Sequence, residues 1–156
     1  MRSAGILLYR CQSRGIEVLL VHPGGPFWRN KDLGAWSIPK GEYVQGEDPV
    51  AVARREFEEE TGMSVSGDLM PLGEVVQRGG KRVIAFALEG DLDPSTLRSN
   101  VFEIEWPPRS GRRQAFPEID RAEWFSPGQA QDKVLPAQRP FITRLLATLN
   151  KPVTGA

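Results

Sequence analysis

Short apolar runs separated by glycine, proline and charged residues dominate the first ninety positions of the chain. Four of these runs have the length and composition of strands: 3–10, 16–22, 69–77 and 82–89. QSRG at 12–15 and RGGK at 78–81 are typical hairpin turns between them. The continuous apolar run at 18–21 predicts a strand that is covered on both faces.

One amphipathic helix is predicted between the second and third of these strands. Asp48 before Pro49 indicates its start, because Asp caps free backbone amides and Pro at the first position gives up no donor. Gly62 ends it, since glycine adopts the left-handed conformation without a clash. An apolar stripe on this helix is formed by Val50, Ala53 and Phe57. Three glutamates lie beside that stripe: Glu56, Glu59 and Glu60.

The second half of the chain carries weaker signals. A helical turn is expected after Pro94, a half-buried strand over 101–106, and a basic loop over 107–117. A strand then ends at Phe125, and a last helix covers 136–149. Strands on both sides of an acidic helix, closed by a final helix, predict an α/β fold: an α/β/α sandwich with a mixed β-sheet.

Composition and charge narrow the class of protein. With 156 residues, 40% of them hydrophobic, the chain is long enough to bury a core, and we predict a single domain over 1–156 with its core at 3–149. Twenty basic and twenty acidic residues balance, which indicates neither a nucleic-acid partner nor a membrane. No signal-peptide pattern opens the chain and Cys11 is the only cysteine, so a cytoplasmic protein is predicted.

The three glutamates of the helix repel one another. Like charges at i, i+3 and i+4 destabilise a helix, and a hard divalent cation such as Mg²⁺, which prefers oxygen ligands, would offset that repulsion. The alternative for a glutamate-rich helix is a solvated acidic face.

A longer pattern favours the metal site. Residues 41–63 fit G-x5-E-x7-R-E-U-x-E-E-x-G-U, where U is a bulky apolar residue. The fixed positions are Gly41, Glu47, Arg55, Glu56, Phe57, Glu59, Glu60, Gly62 and Met63. This segment resembles the Nudix box, with an aromatic Phe57 where the family more often has an aliphatic residue. Nine positions at fixed spacing are far more specific than a lone glycine motif.

The resemblance implies a loop–helix–loop that binds divalent cations and hydrolyses a diphosphate linked to another group. Four groups would bind the metal, which is expected to be Mg²⁺ with Mn²⁺ as an alternative: the Gly41 carbonyl and the carboxylates of Glu56, Glu59 and Glu60. Glu47 and Arg55 would form an ion pair that holds the loop against the helix. Glu58 falls on an unspecified position and is not expected to bind metal.

The general base is left open between a box glutamate and a carboxylate outside the box. The candidates outside it are Glu103, Glu105 and Glu118. Glu118 is preferred because it directly follows the basic loop, although an ordinary surface glutamate is the alternative.

Substrate contacts are predicted from the loop that leads into the box, HPGGPFWRNKDLGAWSIPK at 22–40. An aromatic side chain there would stack on a base, and a Lys or Arg would hold phosphate. The candidates are Phe27, Trp28, Arg29 and Lys40, together with Lys81 from the hairpin tip. Trp28 has the alternative of plugging the loop onto the core, and Lys81 that of a solvated turn. The single histidine, His22, is expected to be structural.

The segment WSIPKGE at 36–42 is similar to the branch of the family that cleaves dinucleoside polyphosphates and diphosphoinositol phosphates. The tyrosine that often marks the dinucleoside branch beyond the box is missing, as is the proline that often marks ADP-ribose pyrophosphatases. We therefore expect a small nucleotide substrate, preferably a dinucleoside polyphosphate. The alternatives are a nucleoside triphosphate pyrophosphohydrolase that removes damaged nucleotides, an ADP-ribose or nucleotide-sugar pyrophosphatase, and a nucleotide-sensing module without turnover. A monomer or homodimer is expected.

Overall fold

The computed structural model describes residues 1–149, and 150–156 of the predicted domain lie outside the described residues. The strands are β1 (Arg2–Gln12), β2 (Gly15–Pro23), β3 (Lys40–Tyr43), β4 (Met70–Val76), β5 (Arg82–Glu89), β6 (Val101–Glu105), β7 (Arg113–Pro117) and β8 (Ile119–Phe125). The helices are α1 (Pro49–Thr61), α2 (Pro127–Lys133) and α3 (Arg139–Thr148), with 3₁₀ turns at Pro94–Thr96 and Pro136–Gln138. No helix within 1–149 is long and apolar enough to cross a bilayer.

The main sheet is mixed, as predicted. Its strand order is β4-β5-β1-β2-β8, with β3 added beside β1. Strand β1 is parallel to β5 along 2–9 and antiparallel to both neighbours on its other edge. On that edge 2–5 pair with β3 and 9–12 pair with β2, so β1 changes partner in mid-strand. The sheet therefore forks at this edge, and the segment before β3 runs through the fork, where the Ile6 amide donates to the Pro39 carbonyl (3.1 Å).

Both faces of the central strands are covered. On one face Ile6, Leu8 and Leu19 pack against Val52 and Phe57 of α1. On the other face a second cluster joins alternate residues of β1 and β2 to α2 and α3: Leu7, Val18, Leu20, Ala130, Phe141 and Leu145. Residues 18–21 are fully buried, as the unbroken apolar run predicts. This arrangement confirms the α/β/α sandwich.

Helix α1 begins and ends where local chemistry dictates. The Asp48 side chain accepts a hydrogen bond from the Val50 amide (3.1 Å), and Pro49 occupies the first turn. Gly62 adopts φ +79°, and its amide donates to the Glu58 carbonyl (2.7 Å). The predicted bounds of the helix are confirmed.

Two predictions for the second half are wrong in part. The basic loop at 107–117 contains β7, which pairs with β6 in a separate two-stranded sheet rather than extending the main one. The pairing places Phe102 opposite Phe116, with ring centroids 6.1 Å apart. The sequence of either segment alone does not predict this contact. The last helix is also split, because Pro140 lacks an amide hydrogen and is tolerated only in a first turn, so α3 begins at Arg139.

Candidate active site

The backbone of Gly41 lies directly against the side chain of Glu56. A Cβ atom added at Gly41 would stand 1.9 Å from the Glu56 carboxyl carbon, so any side chain at this position would displace that carboxylate. Packing of α1 against β3 produces the contact. Glycine is therefore required at position 41 because it has no side chain, which lets the Glu56 carboxylate approach the strand that precedes the helix.

Glu60 is a buried carboxyl, with 8% of the residue exposed. The pKa of Glu60 is raised to about 8: burial is the main cause, Lys40 opposes it, and nearby Glu56 and Glu118 add to the increase. Burial also raises the pKa of Glu56, and the neighbouring Glu59 adds to that effect. The structure thus places mutually repelling carboxylates from α1 and from Glu118, the residue before β8, in one electrostatic environment.

Lys40 is the cation within this environment. Burial lowers the pKa of Lys40, and the nearby Lys81 lowers it further, while Glu60, Glu42 and Glu56 act in the opposite direction. Lys81 itself lies 3.2 Å from a Glu42 oxygen, so the predicted phosphate contact of Lys81 has a carboxylate competitor. Lys40 is the better placed of the two lysines to meet a phosphate.

The ion pair predicted between Glu47 and Arg55 is present. A guanidinium nitrogen of Arg55 lies 3.3 Å from Glu47 Oε2, and Glu47 Oε1 accepts from the Val44 amide (2.9 Å). The Val44 hydrogen bond, and secondarily Arg55, hold the pKa of Glu47 below its usual value. Arg55 also lies 3.5 Å from a Glu56 oxygen. Arg55 therefore links the box loop to one of the predicted metal ligands.

The four predicted metal-binding groups are not arranged alike. Glu56 and Glu60 face the strand that carries Gly41, while Glu59 is exposed. Among residues 1–149, no three His, Cys, Asp or Glu side chains converge into a ready cation site. The donor chemistry nonetheless fits a hard divalent ion, because the carboxyl oxygens of Glu56 and Glu60 lie where burial makes negative charge costly, and a cation would offset that cost.

Glu118 joins the site although it is far from the box in sequence. It lines a small cavity of 160 Å³ together with Lys40 and Glu60. Its backbone is fixed, since the Glu118 amide donates to the Asn100 carbonyl (2.8 Å) and its carbonyl accepts from the Gly24 amide (2.8 Å). Glu103 and Glu105 are exposed on the β6–β7 hairpin and do not line this cavity.

A second cavity, of 760 Å³, adjoins the acidic one and shares Pro23, Ser37 and Lys40 with it. Trp28 packs on the core, as the alternative interpretation expected, and it also lines this cavity, so its stacking on a base stays a prediction. The sequence did not point to the rest of the lining, which comes from the β4–β5 turn and from the segment before α3: Gln77, Arg78, Leu135, Pro136 and Ala137.

The other predicted substrate contacts lie outside both cavities. Phe27 is 64% exposed and packs edge-on against Trp106 of the hairpin, with centroids 5.4 Å apart. Arg29 is exposed and lines neither cavity. The structure therefore brings Trp28 and Lys40 together and leaves Phe27 and Arg29 apart from them.

His22 is buried and fixes the loop that carries Trp28. Its Nδ1 lies 2.8 Å from an Asp120 oxygen, and its Nε2 lies 2.6 Å from the Lys31 carbonyl oxygen. The ring also packs edge-on against Trp36 at 5.1 Å. His22 thus ties β2, the loop and β8 together, as expected of a structural histidine.

Without metal, the protein is expected to become less stable as the pH rises from about 5 to about 8. Glu60 has an ordinary pKa of 4.5 and a folded pKa of about 8, so the folded protein keeps a proton that the unfolded chain releases. The resulting stability is complete below 4.5 and is lost as the pH approaches 8. Urea unfolding in EDTA at several pH values measures this trend.

Glu60→Gln provides the control for this pH dependence, because its amide has no proton to lose in this range. The slope should be much smaller in that variant, with a remainder from Glu56, whose pKa burial also raises, and Mg²⁺ should stabilise the native protein most at the alkaline end. Carboxyls whose pKa is lowered, such as Glu47, lose their contribution to stability only below an ordinary value of 4.5. They therefore add no pH dependence between about pH 5 and about pH 8. Equal unfolding midpoints in native protein at pH 5 and pH 8 would contradict the assignment.

Comparisons with known proteins agree with this geometry. The sequence matches the NUDIX domain family over residues 1–145. The fold resembles an Ap4A hydrolase of C. elegans (21% identity, 96% of this chain, 97% of that one, TM-score 0.64). It also resembles the NUDIX domain of Shewanella oneidensis NrtR, solved with ADP ribose (14% identity, 96% and 88% coverage, TM-score 0.65).

A curated relative is an octanoyltransferase of Myxococcus xanthus, 33% identical over 134 residues. The match takes in 86% of this chain, and the chain spans only 33% of that relative's length. The domain-wide family match and the complete box define the class: the chain belongs to the Nudix family.

Proposed function

We propose that this protein is a Mg²⁺-dependent hydrolase that cleaves a pyrophosphate bond in nucleoside polyphosphates, preferably dinucleoside polyphosphates. One observation carries the proposal: an acidic cavity with Lys40 at its edge adjoins a larger cavity lined by Trp28. A phosphate chain held at the first would place an attached nucleoside in the second. The preference for dinucleoside substrates rests on the segment at 36–42, whose Lys40 lines both cavities.

The metal would be held by Glu56, Glu59, Glu60 and the carbonyl of Gly41, with Mn²⁺ as an alternative ion. When bound, such an ion neutralises phosphate oxygens and acidifies a coordinated water. Burial of Glu60 beside Glu56 supports this role, because burial, and secondarily repulsion from neighbouring carboxylates, raises the pKa of both carboxyls, and a cation would offset both effects.

The remaining groups have roles that follow from their positions. Glu118 would accept the proton of the attacking water, since it lines the acidic cavity without being buried among the helix carboxylates. Lys40 would bind a phosphate oxygen. Arg55 and Glu47 would keep the loop in place, and Trp28 would stack on the base. We propose that one domain in the cytoplasm performs all of these steps.

A nucleoside triphosphate is the second candidate substrate. The cavity beside Lys40, at 760 Å³, has the size of a site for one small organic ligand, and a triphosphate has a single nucleoside to place there. ADP-ribose and nucleotide sugars would place their second sugar toward the exposed surface near Arg29.

A substrate panel tests the proposal. Dinucleoside polyphosphates, nucleoside triphosphates, ADP-ribose and nucleotide sugars would be incubated with Mg²⁺ or Mn²⁺ in ¹⁸O-water, and products identified by mass spectrometry. We expect the highest kcat/KM for a dinucleoside polyphosphate, with ¹⁸O in one product phosphate. A higher kcat/KM for ADP-ribose than for any dinucleoside polyphosphate would overturn the proposed substrate class. Tight binding of a nucleotide, with no turnover of any compound in the panel, would identify a nucleotide-sensing module.

A further inference from the structure

We propose that Gln77 reads the base edge of the substrate, and that buried Gln138 fixes its amide so that it donates hydrogen bonds into the 760 Å³ cavity. The cavity then selects a 6-oxopurine, such as guanine, over a 6-aminopurine, such as adenine. This inference rests on the proposed function in one respect, since it places a nucleobase in the cavity. The orientation of both amides follows from the hydrogen bonds around them.

The orientation of Gln138 is fixed by a backbone amide. The side chain of Gln138 is fully buried, and its Oε1 lies 3.0 Å from the Ile38 nitrogen, which is also buried. A peptide N–H can only donate, so the oxygen of the Gln138 amide must face it. The Gln138 amide nitrogen must therefore point to the opposite side.

On that side the Gln138 nitrogen meets two oxygen atoms. It donates to Gln77 Oε1 (2.8 Å) and to the Ser37 hydroxyl (3.0 Å), which uses both of its hydrogens. Gln77 must accept this bond through its oxygen, so its own nitrogen is turned away from Gln138. Within residues 1–149, no protein group accepts a hydrogen bond from that nitrogen.

The backbone of Gln77 is held as firmly as its side chain. Its amide donates to the Lys81 carbonyl (2.7 Å), and its carbonyl accepts from the Gly80 amide (3.0 Å), which closes the β4–β5 turn. Gln77 and Arg78 then line the cavity that Trp28 also lines. The position of this donor is therefore set before any ligand arrives.

The side chains that line the cavity are rich in donors. The Arg78 guanidinium can only donate hydrogen bonds, and the side of the Gln77 amide that faces away from Gln138 carries the NH₂ donor. Neither Asp nor Glu is among the described residues of the lining, and the Ser37 hydroxyl already donates to the Ile38 carbonyl (2.7 Å). A ligand edge with two acceptors suits this wall, and an edge with an exposed amino group does not.

Guanine has such an edge, because O6 and N7 are adjacent acceptors. Adenine presents N7 beside an amino group, whose hydrogens would meet the donors of Gln77 or Arg78 and remain unpaired. We expect kcat/KM to favour the guanosine member of a matched substrate pair by a factor on the order of 10 to 100. Most of that factor should lie in KM.

Two variants should reverse the preference. In Gln77→Glu the carboxylate still accepts from Gln138 but presents an oxygen to the cavity, which suits the amino group of adenine. In Gln138→Glu the buried side chain has no donor, so Gln77 must turn its nitrogen toward it and its oxygen toward the cavity. Gln77→Leu should abolish the preference without reversing it, and Gln12→Glu, exposed at the end of β1, should leave it unchanged.

The experiment compares guanosine and adenosine versions of the best substrate from the panel, and measures GDP and ADP binding by calorimetry without relying on turnover. A guanosine preference that reverses in Gln77→Glu supports the inference. An adenosine preference in the native protein, or equal affinities for GDP and ADP that Gln77→Glu leaves equal, overturns it. Turnover of neither substrate would count against the proposed function, while the GDP and ADP affinities would still decide the role of Gln77.

Discussion

Replacing Glu60 with Gln is expected to lower kcat by about 10³-fold, equivalent to about 4 kcal/mol of transition-state stabilisation. The change keeps the size of the side chain and removes one negative oxygen from the proposed metal site. Because Glu60 is buried and its pKa is raised to about 8, a neutral amide should fit the metal-free fold as well as the acid does. The Glu60→Gln variant should therefore lose activity while its free energy of unfolding without metal stays close to that of the native protein.

Glu58→Gln is the matched control, since Glu58 is exposed on the same helix and lies outside the fixed pattern. Its kcat should stay within about twofold of the native value, as is usual for an exposed position away from the chemistry. Titration of both variants with Mg²⁺, followed by initial rates, would show whether Glu60→Gln also needs more metal. Native rates at native metal concentrations in that variant would remove Glu60 from the metal site.

Replacing Glu118 with Gln is the second large expected effect. A positioned general base contributes about 10²- to 10⁴-fold, so kcat should fall by a factor in that range while KM changes little. The acidic limb of the pH–rate profile should also be lost, because the group whose deprotonation it reports is gone. Circular dichroism should show an unchanged fold, since the Glu118 side chain is exposed.

Glu105→Gln is the control for this variant, because Glu105 is a carboxylate on the neighbouring hairpin that does not line the acidic cavity. It should retain native kcat and the native pH profile. If Glu118→Gln also retained both, the proton would have to be taken by a carboxylate within the box, and Glu118 would be an ordinary surface residue.

The elements that were predictable from sequence are those whose causes lie close together along the chain. Helix α1 is fixed by Asp48, Pro49 and Gly62, which act on their own backbone neighbours. The ion pair between Glu47 and Arg55 was expected from the resemblance of 41–63 to the Nudix box, in which both residues occupy fixed positions. Local hydrogen bonding was sufficient to predict the bounds of the helix, and the fixed positions of the box were sufficient to predict the ion pair.

The parts that the sequence missed depend on contacts between distant segments. Strand β7 exists because 113–117 pair with 101–105, and RQAFP alone has no strand signal. The donor-lined wall requires Gln77 to meet Gln138 across 61 positions. A buried glutamine in a short turn between two prolines gives no sequence signal of its role, since glutamine is an ordinary surface residue.

The change of partner along β1 has a consequence for the loop that joins β2 to β3. Strand β3 is hydrogen-bonded to 2–5, whereas β2, which leads into the loop before the box, is hydrogen-bonded to 9–12. A substitution in that loop therefore acts on a segment whose two ends are hydrogen-bonded to opposite halves of one strand.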